Sequence, residues 1–175
     1  MLSTDKESIN EWTALIIKTG ARSRTAQRVT GITDIHSRDF YKRIHGKKSP
    51  SGLGPSDPTW FTKNPERVFA STLFLGLYKK CLAHDGDRNV AFMHAYYHYW
   101  RINGSPAVTQ KHSDTLTPER ADNLRKRLRD QESLKGKGNT SSHKLYKCRV
   151  CSTSYLGESN TAHNVCPLCD KDKHH

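Results

Sequence analysis

The chain has 175 residues, 34% hydrophobic and 26% charged, with a mean hydropathy of −0.82; that suits one main domain with a small appendage, a modest core and a very polar surface. No run approaches the roughly 18 uninterrupted apolar residues of a membrane span, and the polar stretch from Met1 to Asn10 lacks the apolar segment of a signal peptide, so a cytoplasmic protein is expected. Lys and Arg number 29 against 17 for Asp and Glu; the net +12 favours a polyanionic partner without separating DNA from RNA or an acidic membrane.

The first expected element is a helix over residues 5–22, where Ile9, Trp12, Leu15 and Ile16 recur at helical spacing before the small pair Gly20-Ala21. A short second helix covers residues 24–30, and Gly31-Ile32 turns the chain. A third helix, capped by Thr33 or Asp34, runs to His45. Residues 46–58 (GKKSPSGLGPSDP) have the Gly, Pro and Ser content of a loop. Asn64-Pro65 opens a core helix, with the amide as cap and the proline in the first position; Val68, Phe69, Leu73, Leu77, Tyr78 and Cys81 form its apolar stripe. His84-Asp85-Gly86 breaks that helix, and another runs through Val90, Met93, Tyr97 and Trp100 to Asn103-Gly104. Thr117-Pro118-Glu119 starts a highly charged helix to Leu134, followed by a linker over residues 135–142 (KGKGNTSS). No internal repeat is present.

Four of the five cysteines crowd the last thirty residues as Cys148-x2-Cys151-x14-Cys166-x2-Cys169. Two residues between cysteines let a tight turn aim both thiolates at one ion, and two such turns supply the tetrahedral set zinc prefers; the residues between the pairs can form a short hairpin. Tyr155 and Leu156 are expected to pack against it. Four thiolates close the coordination sphere, so the metal would be structural and would help fold a segment too small to hold itself together. His143 and His163 lie near enough to substitute as ligands or are simply surface residues. The fifth cysteine, Cys81, reads as a buried thiol in a reducing compartment.

Between Lys18 and Lys48 nine cations meet only Asp34 and Asp39, a net +7. Short helix, glycine turn, second helix is the order of a helix-turn-helix, whose second helix enters the major groove. At 100° per residue the third helix places Phe40, Tyr41 and Ile44 on one face, with Arg38, Asp39, Lys42 and Arg43 opposite; Ile35 falls awkwardly on the polar side. Arg38, Lys42 and Arg43 are the candidates to meet a duplex, Arg22, Arg24 and Arg28 to touch phosphates, with Lys47 and Lys48 in the following loop. An ordinary solvated helix face is the alternative. The helix after Thr117 offers only a narrow strip of Ala121, Leu124 and Leu128 among Arg120, Arg125, Lys126, Arg127 and Arg129. So thin a strip barely supports packing, and this helix would either lie along phosphates or bridge the core to the cysteine module.

His94 and His98 have the spacing of a zinc-protease pair, but Ala95 stands where the general base would be, among Tyr96, Tyr97 and Tyr99; packing suits them better. Neither a P-loop, a GxSxG motif nor a nucleophile-and-base pairing is present, so no enzyme is expected. The aromatic-rich helices carry more apolar surface than so polar a chain readily covers, which suggests a partner subunit.

Leu15-Ile16 with Gly20-Ala21-Arg22, then Tyr41-Lys42, Gly46, Pro50, Gly52, Pro55 and Trp60-Phe61, and finally the double CxxC, follow one another in an order that resembles the FlhC-type flagellar transcriptional activators, over residues 15–169. The resemblance implies a largely helical protein that assembles with an FlhD-type partner, binds double-stranded promoter DNA and recruits RNA polymerase, with Cys148, Cys151, Cys166 and Cys169 as zinc ligands. The short spacing between the CxxC pairs and the arginine-rich helix suit a divergent member acting on conjugative-transfer genes. The rival reading is a stand-alone RNA-binding zinc protein, which would stack bases on exposed aromatics. The expected organisation is mainly α: a helical DNA- and partner-binding domain over 1–112 with a helix-turn-helix-like segment, a basic helix and linker over 113–142, and a zinc module over 143–175.

Overall fold

The computed structural model describes residues 6–104, 114–133, 143–158, 165–166 and 169–170. Its elements are α1 (Lys6–Lys18), α2 (Ser23–Thr30), α3 (Asp34–His45), a short 3-10 turn (Thr59–Thr62), α4 (Pro65–Asp85), α5 (Arg88–Asn103), α6 (Pro118–Ser133), β1 (His143–Lys147) and β2 (Ser154–Glu158). The expected linker over 135–142 and His163 lie outside the described residues.

Helix α1 stops four residues short of the expected end at Arg22. Gly20 takes a left-handed φ of +101°, and the N–H groups of Gly20 and Ala21 return to the carbonyls of Ile17 and Ile16, which closes the helix. Arg22 is therefore extended and sits at the head of α2. Gly31, also left-handed, ends α2, and the Thr33 hydroxyl accepts from the N–H of His36 to start α3. Hydrogen bonds fix the three helices as one unit. Thr13 donates to the Thr30 hydroxyl at 3.0 Å, Ser37 to the Ser23 carbonyl at 2.6 Å, and His45 Nε2 to the Ile17 carbonyl at 3.2 Å. Ile16, Ile17, Ala26, Val29 and Tyr41 are buried between them.

Helices α4 and α5 pack along each other, joined by a turn in which the Asp87 carboxylate caps the N–H groups of Asn89 and Val90. The Phe74 ring sits 6.0 Å from Phe92, 6.3 Å from Tyr96 and 6.4 Å from Tyr99. Most of the apolar surplus expected to need a partner is thus consumed internally, leaving Phe69 and Ile102 exposed on these helices. The Tyr96 hydroxyl donates to the Leu116 carbonyl at 2.9 Å and brings α6 onto the pair. The strip of Ala121, Leu124 and Leu128, expected barely to support packing, is buried in the main core. Polar side chains complete that face, as Glu119, Asp122 and Arg125 are buried beside it.

The two strands form an antiparallel hairpin with Tyr146 opposite Tyr155. It does not lie between the two CxxC pairs, as expected, but encloses the first of them. Cys148 N–H bonds to the Thr153 carbonyl and Ser152 N–H to the Cys148 carbonyl, so Cys148 to Cys151 is itself the turn. Side chains alternate across a strand: Tyr155 faces the cysteines, whereas Leu156 joins the main core. The hairpin rests on α4, where Lys79 Nζ donates to Ser154 Oγ. A side chain at Gly76 would meet Thr153 Cγ2 at 3.3 Å, so the missing side chain permits the close approach.

Candidate metal centre and nucleic-acid interface

The sulfur atoms of Cys148, Cys151, Cys166 and Cys169 all lie within 4.8 Å of one another, with Cys151 and Cys166 at 3.6 Å. Zinc–sulfur bonds of about 2.3 Å place tetrahedral sulfurs about 3.8 Å apart, so the cluster has the size of one ion. Each CxxC supplies a turn: Cys169 N–H and Asp170 N–H both bond to the Cys166 carbonyl, as Ser152 N–H does to Cys148. Backbone N–H groups of Val150 and Cys166 point at the Cys148 sulfur at 3.4 and 3.3 Å. Burial pushes the Cys148 thiol up, but N–H groups of Cys151, Cys166 and Val150 outweigh it and bring it down to about 6. Cys169, held by the Cys151 thiol and by burial, is pushed up to about 12. Thiols this close resist ionising together, and a bound cation is what would let all four do so. The four cysteines are placed to bind a metal ion and fit it as a closed set, with no position left for a substrate or water.

Among the described residues no other group of three or more ligating side chains comes together. His94 bonds to Asp85 at 2.8 Å and lies edge-on to Trp12, while His98 is exposed, so the two are not a ligand pair.

The segment from Arg22 to Gly54 builds a groove of about 1000 Å³. One wall is α2 and α3, the other the loop through Lys48 and Leu53, pinned by Ser49 Oγ accepting from Ser23 N–H and by the Pro55 carbonyl accepting from Asn123. Six of the eight sequence candidates line it: Arg22, Arg24, Arg28, Arg38, Lys42 and Lys48, against the carboxylates of Asp34, Asp39 and Glu119. Arg43 stacks on the Phe40 ring at 4.4 Å in a shallower neighbouring depression, and Lys47 is exposed at the head of the loop. The face assigned to α3 is as expected, with Tyr41 buried and Arg38, Asp39, Lys42 and Arg43 exposed; Ile35 stays on the helix and is 72% exposed.

The six are not equivalent. Arg38 pairs with Asp34 one turn away at 2.6 Å, and Arg22 donates to the Leu53 carbonyl. Arg28 is bound to Asp122 of α6, whose carboxylate also takes Arg125 and Lys126, each at 2.8 Å. Burial would push the Asp122 carboxyl up, but the hydrogen bonds and charges of Lys126, Arg125 and Arg28 outweigh it and hold it below the ordinary range. Arg125 also donates to the Arg88 carbonyl and Asn89 Oδ1, both at 3.0 Å, and lies over the Phe92 ring. Asp122 thus seats α2 against the rest of the molecule, a role the sequence reading missed. The signal was present: an acid three and four residues before Arg125 and Lys126, the spacing that brings side chains together on a helix.

Fold and site together define an α-helical protein with a helix-turn-helix-like pair bordering a cationic groove and a four-cysteine centre placed for a metal. The chain belongs to the FlhC family: the profile of that family, flagellar transcriptional activator (FlhC), matches residues 2–174. This is a family of transcription regulators rather than of enzymes. No curated protein matches the chain in sequence. No described helix is long and apolar enough to cross a membrane.

Proposed function

We propose that this chain is the DNA-contacting subunit of a cytoplasmic hetero-oligomeric transcriptional activator. It works with an FlhD-type partner subunit and recruits RNA polymerase at promoters of flagellar or conjugative-transfer genes. The observation that carries this reading is the groove, which gathers cations from α2, α3 and the loop into one surface. A helix laid in a major groove presents its outward face to base edges while flanking elements hold phosphates. Arg38, Lys42 and Arg43 fit the first role, and Arg22, Arg24, Lys47 and Lys48 the second. Arg28 sits at the edge of this surface, its charge shared with Asp122.

In the same reading Cys148, Cys151, Cys166 and Cys169 hold one zinc ion, which supplies folding energy to the hairpin and no chemistry. Metal analysis should give one zinc per chain, lost in Cys166→Ser together with the order of the hairpin, while most of the helical signal persists.

Affinity of the intact complex for a promoter duplex should fall with salt at a log–log slope of about −0.9 per phosphate contact. Replacing Arg38, Lys42 and Arg43 together with alanine should weaken binding, relax sequence preference and flatten that slope, by about one unit for each of these charges that also neutralises a phosphate. Unchanged affinity and slope would reject the groove as the DNA surface. A preference for single-stranded RNA over duplex DNA would favour the RNA-binding reading, which the burial of most aromatic rings disfavours.

A further inference from the structure

The outward face of α3 is charged, with Arg38, Lys42 and Arg43 outnumbering Asp34 and Asp39, and one large apolar side chain stands among them. Ile35, the second residue of the helix, is 72% exposed and lies within a turn of Arg38 and Asp39. Placed at 100° per residue, it falls between Lys42 and Asp39, close to the centre of the face opposite Ser37, Tyr41 and Ile44. Among the described residues Ile35 is not part of the core, whose inward stripe on α3 is supplied by Tyr41 and Ile44. Arg38 is turned back toward Asp34, which leaves the Ile35 side chain standing beside an ion pair instead of beneath a guanidinium. Leu53, at 90% exposure, is another exposed apolar side chain and stands on the loop wall of the groove that Asp34, Arg38, Asp39 and Lys42 line from α3.

In the major groove one base edge alone offers an apolar partner, the C5-methyl group of thymine. We propose that Ile35 is a specificity-determining residue that packs on a thymine methyl in the bound duplex, beside the bases that Arg38 and Lys42 approach. The inference rests on the DNA-binding reading above. The charge around Ile35 selects a polyanion, the position on α3 selects a groove, and the apolar branch selects the methyl. Removing one methyl contact of this kind lowers affinity about threefold to fivefold.

The test uses the hetero-oligomer purified intact and duplexes it enriches from a random pool. Each thymine of the enriched sequence is replaced in turn by uracil, which removes the methyl group and leaves the pairing alone. Wild type should lose affinity about threefold to fivefold at one thymine. Ile35→Ala should bind thymine and uracil equally there, and Ile35→Val should keep most of the discrimination. The side chain is exposed, so all three proteins should match in melting temperature and metal content. Discrimination that survives in Ile35→Ala overturns the proposal, as does a wild-type complex that ignores the methyl at every position or enriches no thymine. If those results come while the Arg38, Lys42, Arg43 triple still flattens the salt slope, the groove stands and Ile35 alone is wrong. If the triple also has no effect, the DNA-binding reading itself fails.

Discussion

On α3 the cations stand in solvent: Lys42 and Arg43 are exposed, and Arg38 pairs with Asp34 of its own helix. On α6 Arg120, Arg125 and Lys126 are turned to internal work. Arg120 lies over the Trp60 ring at 4.2 Å, Arg125 is buried under Asn89 and Phe92, and Lys126 and Arg125 share Asp122 with Arg28. The two helices carry similar charge, yet α3 is available to an outside polyanion and α6 largely holds the molecule together. The difference comes from Asp122 and Trp60. A buried carboxylate within α6 and a buried indole facing it give its cations partners, whereas among the described residues the outward face of α3 meets the carboxylates of Asp34 and Asp39 of its own helix. Formal charge along a chain is therefore a poor measure of the charge a partner meets.

The largest expected effect falls on α6. Asp122→Ala leaves Arg125 buried without its carboxylate and frees Arg28 from its seat, and should cost about 3 kcal/mol or more in urea or thermal unfolding. A loss under about 1 kcal/mol would break the contrast between the helices. Next comes acid. Because the folded Asp122 carboxyl is held below its ordinary value, its contribution is present above the unfolded pKa of about 3.9 and fades as pH falls through the folded value. Wild type should therefore lose more stability than Asp122→Asn between about pH 4 and pH 2, a difference that melting curves across that range would read. Arg120→Ala removes one of two guanidinium groups against Trp60, the other being Arg67 at 4.8 Å, and should cost about 1 kcal/mol. The smallest effect belongs to α3: the Arg38, Lys42, Arg43 triple should move stability by less than about 1 kcal/mol, since surface pairs contribute little. A larger shift in its melting temperature would mean that these side chains support the fold and that their effect on DNA is indirect.

Much of this was legible in the residues. The caps at Thr33 and Asn64, the breaks at Gly31, Gly46 and Gly86, and the four-cysteine cluster follow from local chemistry that neighbouring residues determine. Contacts between distant segments were not. The end of α1 depends on Gly20 adopting a left-handed turn that the apolar pattern alone does not reveal. The burial of α6 depends on Arg125 finding Asn89 and on Arg28 finding Asp122, partners separated by 36 and 94 positions. The hairpin was misplaced because the CxxC turn is short enough to join two strands itself, which spacing between the cysteine pairs cannot show.

Strand β2 gives the metal centre a further property. Its Tyr155 belongs to the wall around the sulfurs and its neighbour Leu156 to the helical core, so one five-residue element is shared by both. Two equilibria that share a structural element are linked, and linkage is reciprocal. Whatever a bound ion adds by holding β2 in place is felt by α4, and whatever α4 adds by gripping β2 is returned as metal affinity. Leu156→Ala, which replaces no ligand, should then weaken metal retention, and stripping the ion should lower the melting temperature of helices that supply none of its ligands.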